Sequence, residues 1–330
     1  MDGRLNERTV ARVERLLARS FELKVDVQDV NGERLVDCGV KAPGGLEAGL
    51  ELARVCLADL GQVSLGSGTL AGRAWPTVEV ATDHPVAACL FSQYAGWQIG
   101  VGKFFAMGSG PMRAAAAREA IFSEFAYRET PLATVGVLEG GKLPSSEVFA
   151  WLAERTGVAA SSTSLLVAPT ASFAGSLQVV ARVVETALHK LHEIGFDLRT
   201  VRSASGVAPF APVAANDLEG IGRTNDAILY GGSVVVHVGP SDRGETGPNL
   251  SGDDVDDLVR TLGPKVPAGA SSMYGRPFLE IFEAAGRDFY KIDPHLFSPG
   301  EITFCNVKTG RTQRFGGLDH ATLARSFGAL

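Results

Sequence analysis

The longest helical pattern in the chain covers residues 172–196, and its core, SLQVVARVVETALHKLHEIGF, separates into two faces. At about 100° per residue, Gln178, Arg182, Glu185, His189 and His192 fall within an arc of about 80°. Val179, Val180, Val183, Val184, Leu188 and Leu191 fill the opposite side. Strand signals stand on both sides of this helix, at 134–139 and 164–168 before it and at SVVVHVG and 301–307 after it. Others are KVDVQDV, a turn at Asn31-Gly32, ERLVDCGV, 77–81 and 311–315, with helices expected over 46–60 and behind Pro144 and Ser251. Strands and helices mix without a regular βαβ period, so the expected class is α+β: a two-domain subunit with mixed sheets and flanking helices. The main domain is expected over 1–202, carrying the 172–196 helix, and the second over 203–330. Residues 203–212, rich in Ser, Gly, Ala and Pro, read as a linker or crossing between them. That boundary is approximate and leaves room for discontinuous domains.

Composition removes several function classes. A net charge of −6 over 330 residues, with no block of Lys or Arg, speaks against nucleic-acid binding. The first twenty residues are charged throughout and no run of eighteen apolar residues occurs, so the reading is a soluble cytoplasmic protein without a membrane span. Cys38, Cys56, Cys89 and Cys305 stand far apart and form no CxxC pair, which reads as reduced thiols. His189 and His192 are three apart and no HExxH occurs, so no metal site is expected.

Between Asp83 and Arg113 the only unambiguous full charge is Lys103, in a run with five glycines between Gly96 and Gly110. Such a lysine is either a partly buried cation with an anionic partner or a stem lying over apolar surface with its ammonium in water. Gly100-Val-Gly-Lys103 is no P-loop, since Trp97 stands where the leading glycine belongs and Phe104 replaces Ser/Thr. Gly108, Ser109 and Gly110 precede Pro111 and a helical run; backbone N–H groups there suit a phosphate, and equally an ordinary helix start. On a solvated face, the Arg182–Glu185 pair is worth only about 0.2–0.5 kcal/mol. Lining a cleft, the same residues offer an ionised carboxylate, a guanidinium to orient it and the Gln178 amide. Arg223, Thr224, Asn225 and Asp226 suit a polar ligand or plain turn chemistry. Tyr94, Trp97 and Tyr230 offer flat faces, which are also common in cores. Asn6 reads as the cap of a first amphipathic helix, and Asp83-His84-Pro85 as an acid–base pair or a strand-end turn that needs no catalysis.

Taken together, TDHPVAACLFSQYAGWQIGVGKFFAMGSGP, VDCGVKAPGGLEAGL, QVVARVVETALHKL and RTNDAILYGG resemble methenyltetrahydromethanopterin cyclohydrolase over nearly the whole chain. The resemblance implies conversion of 5,10-methenyltetrahydromethanopterin to the 5-formyl derivative, reversibly, by addition of water and opening of a ring C–N bond. It implies a cytoplasmic homotrimer of two-domain α+β subunits, with the pterin in an inter-domain cleft. No metal and no permanently bound cofactor are expected, tetrahydromethanopterin being the one-carbon carrier and substrate. The family's Arg-x-x-Glu falls on Arg182 and Glu185, and its lysine after Gly-x-Gly on Lys103. Glu185 is then the expected base for water, Arg182 the group that orients and tunes it, and Lys103 a balancing charge. Gly108, Ser109, Gly110, Gln178, Arg223, Thr224, Asn225 and Tyr230 are the expected substrate contacts. A tetrahydrofolate cyclohydrolase and a non-catalytic pterin-binding protein are the alternatives. The alanine- and arginine-rich composition fits a bacterium that oxidises one-carbon compounds.

Overall fold

The computed structural model describes residues 4–241 and 249–328. It has two mixed six-stranded sheets with flanking helices, an α+β architecture as the sequence predicts. Contacts divide the chain into two compact units, 1–61 with 87–179 and 213–220, and 62–86 with 180–212 and 221–330.

The first unit holds β1 (Asp26–Val30), β2 (Glu33–Asp37), β5 (Trp97–Val101), β6 (Phe104–Ser109), β7 (Thr134–Glu139) and β8 (Thr163–Ala168), in the order β1-β2-β8-β7-β6-β5. β1 and β2 form a hairpin in which Val30 faces Glu33 across Asn31 and Gly32, both at positive φ. That is the two-residue turn Asn-Gly favours. β2, β8 and β7 run parallel, and the covering of β7 and β8 on both faces explains their largely apolar sequences. Val135, Val137 and Leu166 pack with Val13 and Leu16 of α1 (Leu5–Leu17) and with Leu52 and Val55 of α3 (Leu46–Cys56). On the other face, Leu138, Leu165 and Val167 meet Val148, Phe149 and Leu152 of α6 (Ser146–Thr156). Asn6 is no cap: it lies inside α1, fully buried, with its amide bonded to Pro111 O and Glu129. The Glu129 carboxylate instead accepts the Leu5 and Asn6 backbone N–H groups.

The second unit's sheet runs β12-β11-β10-β9-β4-β3. Its strands are β3 (Gln62–Leu70), β4 (Arg73–Thr82), β9 (Val201–Pro209), β10 (Ser233–Val238), β11 (Glu301–Asn306) and β12 (Thr312–Gly316). Most of the stretch read as a linker or crossing belongs to β9, a strand with neighbours on both sides, and residue 202 lies within it. Its small residues have a packing cause. A Cβ on Gly206 would come within 2.9 Å of Val184 Cγ2 and 3.0 Å of Val183 Cγ1, so the glycine lets a helix lie close against the sheet.

The continuous helix expected over 172–196 is two helices, α7 (Phe173–Val180) and α8 (Val183–Glu193), separated by a turn at Ala181-Arg182. The hydrophobic period runs on through the break, yet the chain passes from the first unit to the second between Val179 and Val180. Among the described residues no helix is long and apolar enough to cross a membrane.

Candidate active site

The parallel strands β2, β8 and β7 end together, with Asp37 level with Val167 and Glu139 level with Ala168. In open sheets the carboxyl ends of parallel strands and the loops after them are where ligands sit. Asp37, fully buried, organises the first loop: its carboxylate accepts the N–H groups of Gly39, Val40, Lys41 and Ala42 at 2.7–3.1 Å. At the end of β7, half-buried Glu139 accepts Thr170 Oγ1 at 2.9 Å and Gln178 Nε2 at 3.3 Å. Gln178 is 1 % exposed in α7, with its amide oxygen 3.9 Å from Cys56 Sγ. The thiol in turn lies 3.3 Å from Ser109 Oγ. Gln178 and Ser109 thus share one polar chain with Glu139, Thr170 and Cys56.

Of the two readings open for Lys103, the partly buried cation is not the one found. Lys103 occupies the β5–β6 turn behind Gly102, which is at positive φ, and is exposed. The short two-strand ribbon carries it beyond the last β6–β7 pair, Met107 with Glu139. Gly108, Ser109 and Gly110 lie at the other end of β6; six strand residues from Lys103 to Ser109 span about 20 Å. All three are buried, Gly110 N donates to Ser92 O at 2.8 Å, and the helix behind Pro111, α4 (Met112–Ala116), has only five residues. Arg113, fully buried, is held by Glu119 and Leu90 O and lies over the rings of Tyr94 and Phe122. Trp97 packs against Trp151.

In the second unit, Arg182 is the N-cap residue of α8 and its carbonyl accepts both the N–H and the hydroxyl of Thr186. Glu185 follows in the first turn, only 4 % exposed. A carboxylate there lies at the positive end of the helix dipole. The expected polar stripe is therefore not a solvated face, since Gln178 and Glu185 are both buried. His189 and His192 each approach Glu193, at 3.8 and 4.0 Å. Among the described residues no three His, Cys, Asp or Glu side chains are grouped so as to hold a metal ion.

The Arg-Thr-Asn-Asp cluster sits within α9 (Asp217–Gly231) rather than in a turn. Thr224 and Asn225 bond back to Ile221 O, a local use of such side chains inside helices. Asp226 takes the Phe278 N–H and the Ser326 hydroxyl, and Arg223 is half-buried. Tyr230 is fully buried; its hydroxyl donates to Arg276 O and accepts from Gly275 N–H, and its ring stacks near Tyr274. Burial pushes that phenol up to about 12, so the hydroxyl stays protonated in this pairing. Sequence reasoning missed Glu139, whose signal was an acidic residue ending an apolar strand before Gly140-Gly141.

Residues 4–327 match the family described as Cyclohydrolase (MCH). A methenyltetrahydromethanopterin cyclohydrolase of Methanosarcina mazei is 42 % identical over 326 residues, 98 % of this chain and 98 % of that protein. The chain belongs to the MCH cyclohydrolase family. A family member of the same name from Methylobacillus flagellatus is 42 % identical over 98 % of this chain and 95 % of its own length. Another from Rhodopirellula baltica is 43 % identical over 91 % and 87 %. The family match spans both compact units, so every residue discussed above lies within it.

Proposed function

We propose that the chain hydrolyses 5,10-methenyltetrahydromethanopterin to 5-formyltetrahydromethanopterin, reversibly, in tetrahydromethanopterin-linked one-carbon metabolism. The observation that carries this reading is 42 % identity, over 98 % of both chains, to a protein named for that activity. The methenyl carbon belongs to a cationic amidinium and is already electrophilic, so the protein's task is to place and deprotonate water. In this reading Glu185 takes the proton as the water oxygen bonds to that carbon. The bond to N10 then breaks as N10 gains the hydroxyl proton of the adduct, the formyl group stays on N5, and the proton taken by Glu185 is the one released overall. A buried carboxylate also favours the bound cation electrostatically. Arg182, three residues earlier at the helix start, orients and tunes it. Gln178 and Arg223 are proposed as polar contacts of the substrate, with Gly108, Ser109, Gly110, Thr224, Asn225 and Tyr230 shaping the surroundings. Lys103 contributes charge, not proton transfer.

The same reading carries a cytoplasmic homotrimer with a two-domain subunit and no permanently bound cofactor. Light scattering would test the assembly, expecting three copies of the 34.7 kDa chain. Activity is tested by mixing the protein with the methenyl forms of tetrahydromethanopterin and of tetrahydrofolate and following loss of the methenyl absorbance. Fast loss with the methanopterin alone is expected. Preference for the folate form would move the chain to the alternative substrate, and tight binding without turnover would make it a carrier.

A further inference from the structure

The first unit contains four lysines, Lys24, Lys41, Lys103 and Lys142, and all four are exposed at one edge of its sheet. Lys24 precedes β1, whose first residue, Asp26, is level with Asp37 at the end of β2. Lys41 belongs to the loop tied to Asp37. Lys142 follows Glu139 and the glycines that end β7, and Lys103 tips the β5–β6 turn that projects past the same strand end. The last two come together: Lys142 Nζ lies 3.5 Å from the carbonyl of Lys103. None of the four makes an ion pair among the described residues. The nearby carboxylates are engaged, Asp37 by four backbone N–H groups, Glu139 by Thr170 and Gln178, and Asp217 by Ala171 N–H.

Two exposed lysines carried on neighbouring turns repel each other, and an anion held by both relieves that repulsion. An exposed lysine is a poor electrostatic catalyst, since a unit charge 4 Å away in water feels only about 1 kcal/mol. The same pair is well suited to a phosphate or carboxylate, which two mobile ammonium groups can approach from either side. We propose that Lys103 and Lys142 form a clamp for the anionic tail of the substrate. This rests on the proposed methenyltetrahydromethanopterin reaction, whose carrier bears phosphate and carboxylate groups on its tail. It assigns Lys142 a part that no spacing or motif pointed to, and it makes Lys103 a binding residue.

The test compares wild type, Lys103→Gln, Lys142→Gln and the double variant on the full methenyl carrier and on a methenyl carrier cut short of its anionic tail, at low and high salt. The double variant is expected to raise KM about tenfold on the full substrate at low salt, to leave kcat within twofold, and to flatten the rise of KM with salt. On the shortened substrate it should match wild type. Lys24→Gln/Lys41→Gln, at the β1–β2 end of the edge, is the control and should change KM less than twofold. An equal loss on both substrates, a fall in kcat with KM unchanged, or an equal effect of the control pair would each overturn the clamp. Wild type that fails to turn over either methenyl carrier would instead overturn the proposed reaction.

Discussion

The two sheets present charge in opposite ways. In the first unit, Lys103 and Lys142 stand exposed on turns beyond the ends of β6 and β7. In the second, Glu185 is 4 % exposed in the first turn of α8, a helix seated on β9 over Gly206. Turns that follow strand ends offer reach and adaptability, which suits holding a charged tail. A helix start packed on a sheet fixes a side chain in position, which suits taking one proton from one water. An exposed cation and a buried carboxylate are therefore expected to fail differently when changed, one in KM and the other in kcat.

The sharpest break comes from Glu185→Gln, which keeps shape and removes the proton acceptor. A positioned general base contributes about 10²–10⁴-fold, so kcat should fall at least a hundredfold while the denaturation midpoint moves little. Turnover within threefold of wild type would remove Glu185 from the chemistry and with it the contrast drawn between the two units.

Gly206→Val comes next. Its added methyls enter a space where a single Cβ already lies 2.9 Å from Val184 Cγ2 and 3.0 Å from Val183 Cγ1. Overpacking of this kind costs about 1–3 kcal/mol, readable in urea unfolding. Because Val183 and Val184 directly precede Glu185, kcat should fall along with stability. Loss of stability with unchanged kcat would show that the seat of α8 does not set the carboxylate's position.

Why parts of this were readable and others not follows from where their causes lie. The Asn31-Gly32 hairpin, β7, β8 and the helix behind Ser251 rest on local chemistry, and the sequence reading of each agrees with the structure. β9 looked like a linker because its glycine and alanines answer to a helix lying across them, a partner distant in sequence. The 172–196 pattern looked like one helix because both halves bury apolar residues at the same spacing, although the chain changes unit within it. For the site, Arg182, Glu185 and Gln178 carried a signal in their spacing. Lys142 carried none and Glu139 only that of an acidic residue ending an apolar strand, since a strand end and a neighbouring turn bring them to the edge.

The smallest change in turnover is expected at Asp226, which belongs to the framework. Burial pushes its carboxyl up to about 7, against the hydrogen bonds from Ser326 and the Phe278 N–H that favour the ionised form. In the unfolded chain an aspartate titrates near about 3.9. Between about pH 4 and 7 the folded chain therefore holds a proton that the unfolded chain has lost. Stability contributed by this group is full below that window, falls as pH rises through it, and levels off above about 7. The slope from one proton is at most about 1.4 kcal/mol per pH unit. Asp226→Asn should remove this component of the pH dependence while kcat at pH 7 stays within twofold of wild type. If wild type and variant show the same slope from pH 5 to 7 in denaturant titrations, the carboxyl is ionised throughout. The bonds to Phe278 and Ser326 would then outweigh its burial.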